Sequence, residues 1–177
     1  MLIDYADREP VIRVSGQPLV PVIDDGGTVV ADSRRILRHL ERTRPAPPLF
    51  PGEPAGRAEL DVFLDWFDEV WKLAPNGIEE ELEGPEPDRE RIARLGERMA
   101  GALDRFEALL TGRDYLLADR LTAADYAAFP FLKYARGRAP GDDELFHRIL
   151  DEHHPLGEDH PRLAGWIERV DALPRAV

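Results

Sequence analysis

The chain has 177 residues, no cysteine and a formal net charge of −12, from 35 acidic and 23 basic side chains. The lack of cysteine excludes disulfides and intrinsic thiol chemistry, and the acidic balance argues against nucleic acid as a partner, because phosphate-backbone binding relies on a basic face. No apolar run approaches the roughly 18 residues of a membrane span, and the start of the chain has no secretory pattern, so we expect no membrane contact and a cytoplasmic location.

A β-hairpin is the first element that the sequence predicts. The β-rich runs PVID (21–24) and TVVA (28–31) are joined through the turn-forming sequence DDGG, which is typical of a tight hairpin. Pro21 has no backbone N–H to give to a sheet, so taken alone it indicates an edge strand or a turn.

A short helix is predicted directly after the hairpin. SRRILRHLE places Ile36, Leu37 and Leu40 at helical spacing. Asp32 and Ser33 stand at its start, and either can cap it. A helix N-terminus also presents free N–H groups and a partial positive charge, so this first turn suits a carboxylate ligand.

A proline-rich segment separates this part from the rest of the chain. Residues 42–56 (RTRPAPPLFPGEPAG) contain five prolines and are predicted to form neither helix nor central strand. We therefore divide the chain into an N-terminal α+β domain over residues 1–41, a linker over 42–56 and a C-terminal domain over 57–177.

The C-terminal domain is predicted to be an all-helical bundle, because only helical patterns occur in it. Its first helix has a broad apolar face with an aromatic stripe, of which at least half should be buried. The stripe consists of Phe63, Trp66, Phe67 and Trp71. The predicted helices are 58–73, 88–110 with Gly112 as a C-cap, 122–135, about 143–153, and 161–173.

Two polar clusters are interpreted as surface loops. Residues 79–90 hold seven acids, and the glycine and prolines within them exclude a continuous helix. Residues 151–160 hold three histidines and four acids, which raises the possibility of a zinc site. Adjacent His153 and His154 would point to different sides of a helix, however, so we expect no metal.

The string LTAADY (121–126) predicts a capping box. In it the Thr122 side chain accepts the backbone N–H of Asp125, and the Asp125 side chain accepts the backbone N–H of Thr122. The alternative is a catalytic Asp125. An acid already bound to a backbone amide is poorly placed for proton transfer, so we favour the structural role.

The order of these parts resembles the cytosolic glutathione transferase superfamily. A Val-Pro strand, a hairpin and an Asp-Ser helix start precede a proline-rich linker, and then come GRAELD, YLLADRLTAADYAAFPFL and HPRLAGWIERVDALPR. The resemblance covers nearly the whole chain from about Val14 onward. It implies an α+β remnant of a thioredoxin-like domain, without its first strand and helix, that binds glutathione, followed by an all-α bundle that supplies a pocket for the electrophile.

The resemblance also implies site residues. Val20 would pair with the cysteinyl part of glutathione, and the bond to Pro21 would be cis. Ser33 would hold the γ-glutamyl carboxylate, and Asp32, where the family usually has Glu, would contact the ammonium group.

Phe63, Trp66 and Phe67 would line the pocket for a small hydrophobic electrophile, because in the family this first bundle helix faces the active-site cleft. Family members usually pair as homodimers, so we expect one here. Glutathione is the expected co-substrate or ligand.

The thiol-activating residue of the family is not identified in this sequence. In the family a Tyr, Ser or Cys stands at the end of the first strand or the start of the first helix, whereas LIDY (2–5) matches the second strand. The catalytic residue is therefore unknown and expected upstream of Met1; the alternative is a protein with a reduced N-terminal domain. Tyr5 and Ser15 fall outside the catalytic position, and we do not give them that role.

These features allow three functions. The leading one is an enzyme that transfers the glutathione thiol to an electrophile or uses it to reduce a peroxide. The alternative is a non-catalytic binding or interaction module of the same fold. A helical scaffold that binds no glutathione is least favoured, because the Val-Pro and Asp-Ser elements occur together.

Overall fold

A computed structural model describes residues 7–174. The chain divides into two compact units, one up to Phe50 and one from Pro51 onward. The predicted strand LIDY, with Tyr5, lies outside the described residues. Within residues 7–174, no helix combines the length and apolar character that crossing a bilayer requires.

The N-terminal unit contains a two-stranded sheet and two helices. In chain order they are α1 (Glu9–Ser15), β1 (Val22–Asp25), β2 (Thr28–Ala31) and α2 (Ser33–Thr43). The strands are antiparallel, as predicted. Gly26 and Gly27 have φ values of +62° and +89°, which is the left-handed conformation that a tight hairpin turn needs.

Helix α1 is not predicted by any pattern above. It begins at Glu9, with Pro10 in its first turn, buries Val11 and ends at Ser15, and its C-cap residue Gly16 has a φ of +75°. A helix of this length with one buried apolar residue has too few turns to show a period.

A cluster of charged side chains holds α2 against the hairpin. The guanidinium of Arg44 donates to both oxygens of Asp25 at 3.1 and 2.6 Å, and His39 Nε2 lies 2.7 Å from the same carboxylate. These hydrogen bonds, that of Arg44 first, hold the pKa of Asp25 well below its usual range. Arg42 can only donate to His39 Nδ1, so the imidazole proton is on Nε2 and is donated to Asp25.

The C-terminal unit is an all-helical bundle, as predicted. Its α-helices are α3 (Pro54–Trp66), α4 (Leu73–Glu83), α5 (Arg89–Leu109), α6 (Ala123–Leu132), α7 (Leu145–His153) and α8 (Pro161–Asp171), with a π-helical turn at Phe67–Trp71 and a 3₁₀ turn at Lys133–Arg136. The largest fully buried side chains include Phe67, Phe106 and Trp166. These aromatic side chains form much of the core.

The prediction that residues 42–56 exclude helix is wrong at both ends. Helix α2 continues to Thr43, and α3 begins at Pro54. Proline is tolerated at the start of a helix because the N–H groups of the first turn have no intrahelical partner. The domain limits 1–41, 42–56 and 57–177 stay a prediction.

The predicted helix 58–73 is interrupted, and the predicted loop 79–90 is shorter than expected. Pro75 cannot donate to the carbonyl four residues earlier, and just before it Lys72 N–H reaches back to the Phe67 carbonyl at 3.0 Å, one residue further than in an α-helix. Helix α4 then continues to Glu83. Glu81 is not simply solvated, because it accepts the Asp88 N–H at 2.9 Å and pairs with Arg91.

Candidate functional site

The cis-proline loop and the start of α2 lie side by side in the N-terminal unit. The Val20–Pro21 peptide bond is cis, as the resemblance implies. The Asp32 N–H donates to the Pro21 carbonyl at 3.3 Å. Val20 is 52% exposed, and its own backbone N–H and C=O form no hydrogen bond among the described residues. An extended peptide can therefore pair with Val20 beside the helix start.

Asp32 is the N-cap of α2, in an uncommon backbone conformation. Its Oδ1 accepts the Arg35 N–H at 3.0 Å, while its own φ is +79° and ψ is 128°. Ser33 is the first residue of the helix, and no acidic residue lies in the first turn. A β-carbon at such a φ costs of order 1–3 kcal/mol, which surrounding contacts must offset.

Together these groups are complementary to a peptide with charged ends. The N–H groups at the start of α2 attract an anion, the exposed Asp32 carboxylate attracts a cation, and Val20 offers a donor and an acceptor for a backbone. The hydrogen bond from the Asp32 N–H to the Pro21 carbonyl thus places Val20 and Pro21 next to Asp32 and Ser33. What they bind stays a prediction.

The C-terminal unit has an apolar cavity, here called the Trp66 cavity, between α3 and α5. Its volume is about 480 Å³. Its apolar wall consists of Val62, Phe63, Trp66, Ala108, Leu109 and Leu117. A smaller cavity of about 310 Å³ shares Trp66 and Arg105 with it and is also lined by Trp71 and Arg98.

The aromatic stripe of α3 divides between core and cavity wall. Phe63, Phe67 and Trp71 are buried, which confirms that at least half of the stripe is core. Phe67 lines neither cavity. Its ring stacks between Phe63 and Trp71, with centroids 5.9 and 4.7 Å away. Trp66 is only half-buried and lines both cavities.

Arg105 is a cavity residue that the sequence did not indicate. Its guanidinium carbon lies 5.9 Å from the centroid of the Trp66 ring, which is a cation–π distance. It has no ion pair among the described residues. Because α5 carries five arginines, the presence of an arginine on this helix does not by itself single out Arg105.

The predicted capping box at the start of α6 is present and fully buried. Asp125 Oδ2 accepts the Thr122 N–H at 2.8 Å and lies 3.0 Å from the Thr122 hydroxyl. Its Oδ1 accepts the Leu116 N–H at 3.0 Å and the Trp166 indole N–H at 2.9 Å. Four neutral donors saturate a carboxylate that solvent does not reach, so the geometry supports a structural role.

The three histidines of residues 151–160 point to different places. His153 packs over Gly96, where a β-carbon would stand 2.5 Å from its Nδ1. His154 is fully buried, 6.1 Å from the Trp71 ring, and His160 Nε2 lies 3.1 Å from Asp104. Among the described residues, no three His, Cys, Asp or Glu side chains are grouped closely enough to hold a metal ion.

Both halves of the chain match known families. Residues 2–48 match the profile described as "Glutathione S-transferase, N-terminal domain", and residues 89–169 match "Glutathione S-transferase, C-terminal domain". Glutathione S-transferase 3 of Zea mays is 32% identical over 166 residues, which are 88% of this chain and 67% of that protein.

Two further comparisons extend this finding. FtsZ-localized protein A of Caulobacter vibrioides is 35% identical over 126 residues, 66% of this chain and 55% of that protein, so the match spans little more than half the length of that relative. The crystal structure of a glutathione S-transferase from Rhodospirillum rubrum superposes with a TM-score of 0.71 at 25% identity, covering 96% of this chain and 74% of that one.

Proposed function

We propose, since this chain belongs to the glutathione S-transferase superfamily, that it binds glutathione and transfers its thiol to a small hydrophobic electrophile or uses it to reduce a peroxide. The observation that carries the proposal is the hydrogen bond from Asp32 N–H to the Pro21 carbonyl. It holds a peptide-pairing edge beside a helix N-terminus, as a γ-glutamyl tripeptide requires.

Each group has a distinct role in this proposal. The backbone of Val20, next to Pro21, pairs with the cysteinyl residue. The hydroxyl and N–H of Ser33 hold the γ-glutamyl carboxylate, which the positive end of α2 favours. Asp32 contacts the ammonium group through the carboxylate that also caps the helix.

The electrophile is proposed to enter the Trp66 cavity, where Phe63 and Trp66 form part of the wall. Phe67 does not line the cavity, but its ring stacks on that of Phe63. No thiol-activating residue is assigned. Ser15 ends α1, and its hydroxyl lies 2.8 and 3.0 Å from the carbonyls of Val11 and Gln17.

We further propose that the protein is a cytoplasmic homodimer. Light scattering checks this proposal, with an expected mass of about 40 rather than 20 kDa.

A second candidate is a non-catalytic interaction module of the same fold. It is favoured by the 35% identity to a relative named for its localisation with FtsZ. Both candidates need the glutathione site, and only the first needs turnover.

Retention on immobilised glutathione tests the binding site. We expect the chain to be retained, and Ser33→Ala to lower its affinity roughly tenfold, the value of one hydrogen bond to a charged group. Ser15→Ala is the matched control, because it removes another serine hydroxyl of the same unit and should leave retention unchanged. Failure of the unsubstituted, intact full-length protein to bind would refute both candidates. A conjugation assay with an aryl halide then separates the enzyme from the module.

A further inference from the structure

We infer that the C-terminal unit binds a small zwitterion with an α-amino-acid head group, in a cavity that only residues of this unit line. The cavity, here called the Tyr134 cavity, is bounded by the 3₁₀ turn Lys133–Arg136, residues 137–142 and α8. Its volume of about 420 Å³ lies within the ~300–1,000 Å³ of small-molecule sites. It shares no lining residue with either cavity at Trp66.

Tyr134 and Ile167 supply the apolar part of the lining, and both are almost fully buried. The Tyr134 ring stacks on the imidazole of His147, with centroids 4.4 Å apart. Burial raises the pKa of Tyr134 to about 12, and the charges of Asp142 and Glu144 add to this effect, so the phenol stays neutral. The ring is therefore an uncharged surface against which an apolar side chain can pack.

Lys133 brings an ammonium group without a carboxylate partner to this cavity. Its Nζ lies 4.6 Å from the centroid of the Tyr134 ring, and it forms no ion pair among the described residues. The other lysine of the chain, Lys72, is paired with Asp68 at 2.5 Å. Because none of the described acids neutralises it, the Lys133 ammonium is available to the carboxylate of a ligand.

Three acids line the same cavity, which argues against a site for a simple anion. Glu168 is paired with Arg136 at 2.8 Å, so these two charges offset each other, and Asp142 and Asp171 remain. His147 Nδ1 lies 2.9 Å from Asp142 Oδ1, and this hydrogen bond lowers the pKa of Asp142. The Asp142 carboxylate is therefore ionised near pH 7.

A zwitterion is the ligand that satisfies both sets of charges. An anion would be attracted by Lys133 and repelled by Asp142 and Asp171, and the reverse holds for a cation. Lys133 and Asp142 form no ion pair with each other, so both remain able to contact a ligand that carries its ammonium and carboxylate on one carbon. The apolar side chain of such a ligand would pack against Tyr134 and Ile167.

Three forms of leucine separate the contributions of the two charges. At about pH 6.5, below the ordinary pKa of an α-amino group, leucine is a zwitterion, its methyl ester is a cation and N-acetyl-leucine is an anion. We expect ligand-observed NMR to show binding of leucine, with each of the other two compounds bound roughly tenfold more weakly, as loss of a charge-assisted contact would give.

Substitutions assign these charges to residues. Lys133→Gln should weaken the binding of leucine roughly tenfold and strengthen that of the methyl ester, because it removes a like charge. Asp142→Asn should strengthen the binding of N-acetyl-leucine relative to leucine for the converse reason. Arg148→Gln is the matched control, since this exposed arginine of the same unit does not line the cavity and should alter the binding of none of the three compounds.

Ser33→Ala separates this cavity from the proposed glutathione site, which also suits an α-amino-acid head group, and its binding of leucine should be unchanged. Glutathione is titrated in parallel. A signal that depends on Lys133 for leucine alone assigns the cavity to free amino acids, and one for glutathione as well extends it to γ-glutamyl peptides.

Four results would overturn the inference. They are no signal from leucine up to its solubility limit, equal binding of the three compounds, an equal effect of Arg148→Gln and Lys133→Gln, and loss of leucine binding in Ser33→Ala. Retention on glutathione without any binding of leucine would remove this inference and leave the proposed function standing.

Discussion

Two aspartates begin helices in this protein, and their surroundings are opposite. Asp32 caps α2 in the N-terminal unit, is exposed and adopts a φ of +79°. Asp125 stands in the first turn of α6 in the C-terminal unit and is fully buried. Asp125 lies within hydrogen-bond distance of four donors, whereas one N–H, that of Arg35, occupies Asp32 Oδ1.

The difference separates a structural carboxylate from one that can meet a ligand. A buried acid whose lone pairs are all used has nothing left to offer a substrate, and removing it leaves its donors without partners. An exposed cap contributes little to stability beyond its own helix, so its strained backbone conformation needs another explanation. For Asp32 we propose that explanation to be glutathione.

The largest expected effect is that of Asp125→Ala. The substitution would leave the N–H groups of Leu116 and Thr122 and the indole N–H of Trp166 unpaired in the core. Each costs about 1–3 kcal/mol, so we expect a loss of about 4 kcal/mol in the free energy of unfolding. Denaturant titration followed by circular dichroism measures it.

Asp125→Asn guards against a variant that does not fold. Its amide oxygen can still accept from Leu116 and Trp166, while its NH₂ group would face the Thr122 donors, so an intermediate loss is expected. A loss below about 1 kcal/mol in Asp125→Ala would contradict the comparison, because it would place Asp125 with ordinary exposed caps.

The capping box also shows what the sequence could and could not reveal. The spacing of Thr122 and Asp125 is local, so it predicted the box and the start of α6 correctly. Leu116 and Trp166 lie 9 and 41 residues away, and only tertiary packing brings their donors to the same oxygen. The hairpin and the helices of the bundle were predicted because their patterns are local. The network around Asp125 was missed because its members are far apart in the sequence.

The same limit applies to the other differences. The end of α4 depends on Glu81 being held by Asp88 and Arg91 across a turn, which a count of acids does not reveal. Arg105 is recognised as a cavity residue only from tertiary packing, because α3 brings the Trp66 ring close to its guanidinium. The Asp-Ser pair could be located in advance, but not the φ of Asp32.

His154 is buried like Asp125, but within residues 7–174 it lacks the hydrogen-bond partners that Asp125 has. Neither ring nitrogen is hydrogen-bonded among the described residues. Burial lowers the pKa of His154 to about 4, although the backbone of Phe131 and Asp151 favour the protonated ring. The imidazole is therefore neutral near pH 7, so it places no buried charge in the fold there.

Stability should fall as the pH is lowered through the range between the unfolded and the folded pKa of His154. Below the ordinary value of 6.5 the unfolded chain takes up a proton that the folded chain does not, until the folded ring titrates near 4. The loss should reach about 3 kcal/mol at pH 4. Urea titrations at pH 4.5, 5.5 and 7.5 measure the slope.

His154→Phe isolates this contribution. It replaces the imidazole by an apolar ring of similar shape beside Trp71, so most of the slope between pH 4.5 and 6.5 should disappear. A part should remain, because burial also lowers the pKa of His153. An unchanged slope in His154→Phe would mean that other groups cause the acid sensitivity.

The smallest expected effect on stability, and the sharpest separation of the two aspartates, comes from Asp32→Gly. Glycine adopts a φ near +79° without strain and costs an N-cap only a few tenths of a kcal/mol, so we expect a change below about 0.5 kcal/mol. Asp32→Ala is the matched control, since it loses the cap and keeps the β-carbon, and should cost about 1 kcal/mol. Both remove the carboxylate and should weaken retention on glutathione alike. A glycine variant that is stable and still binds fully would show that the carboxylate serves the helix and not the ligand.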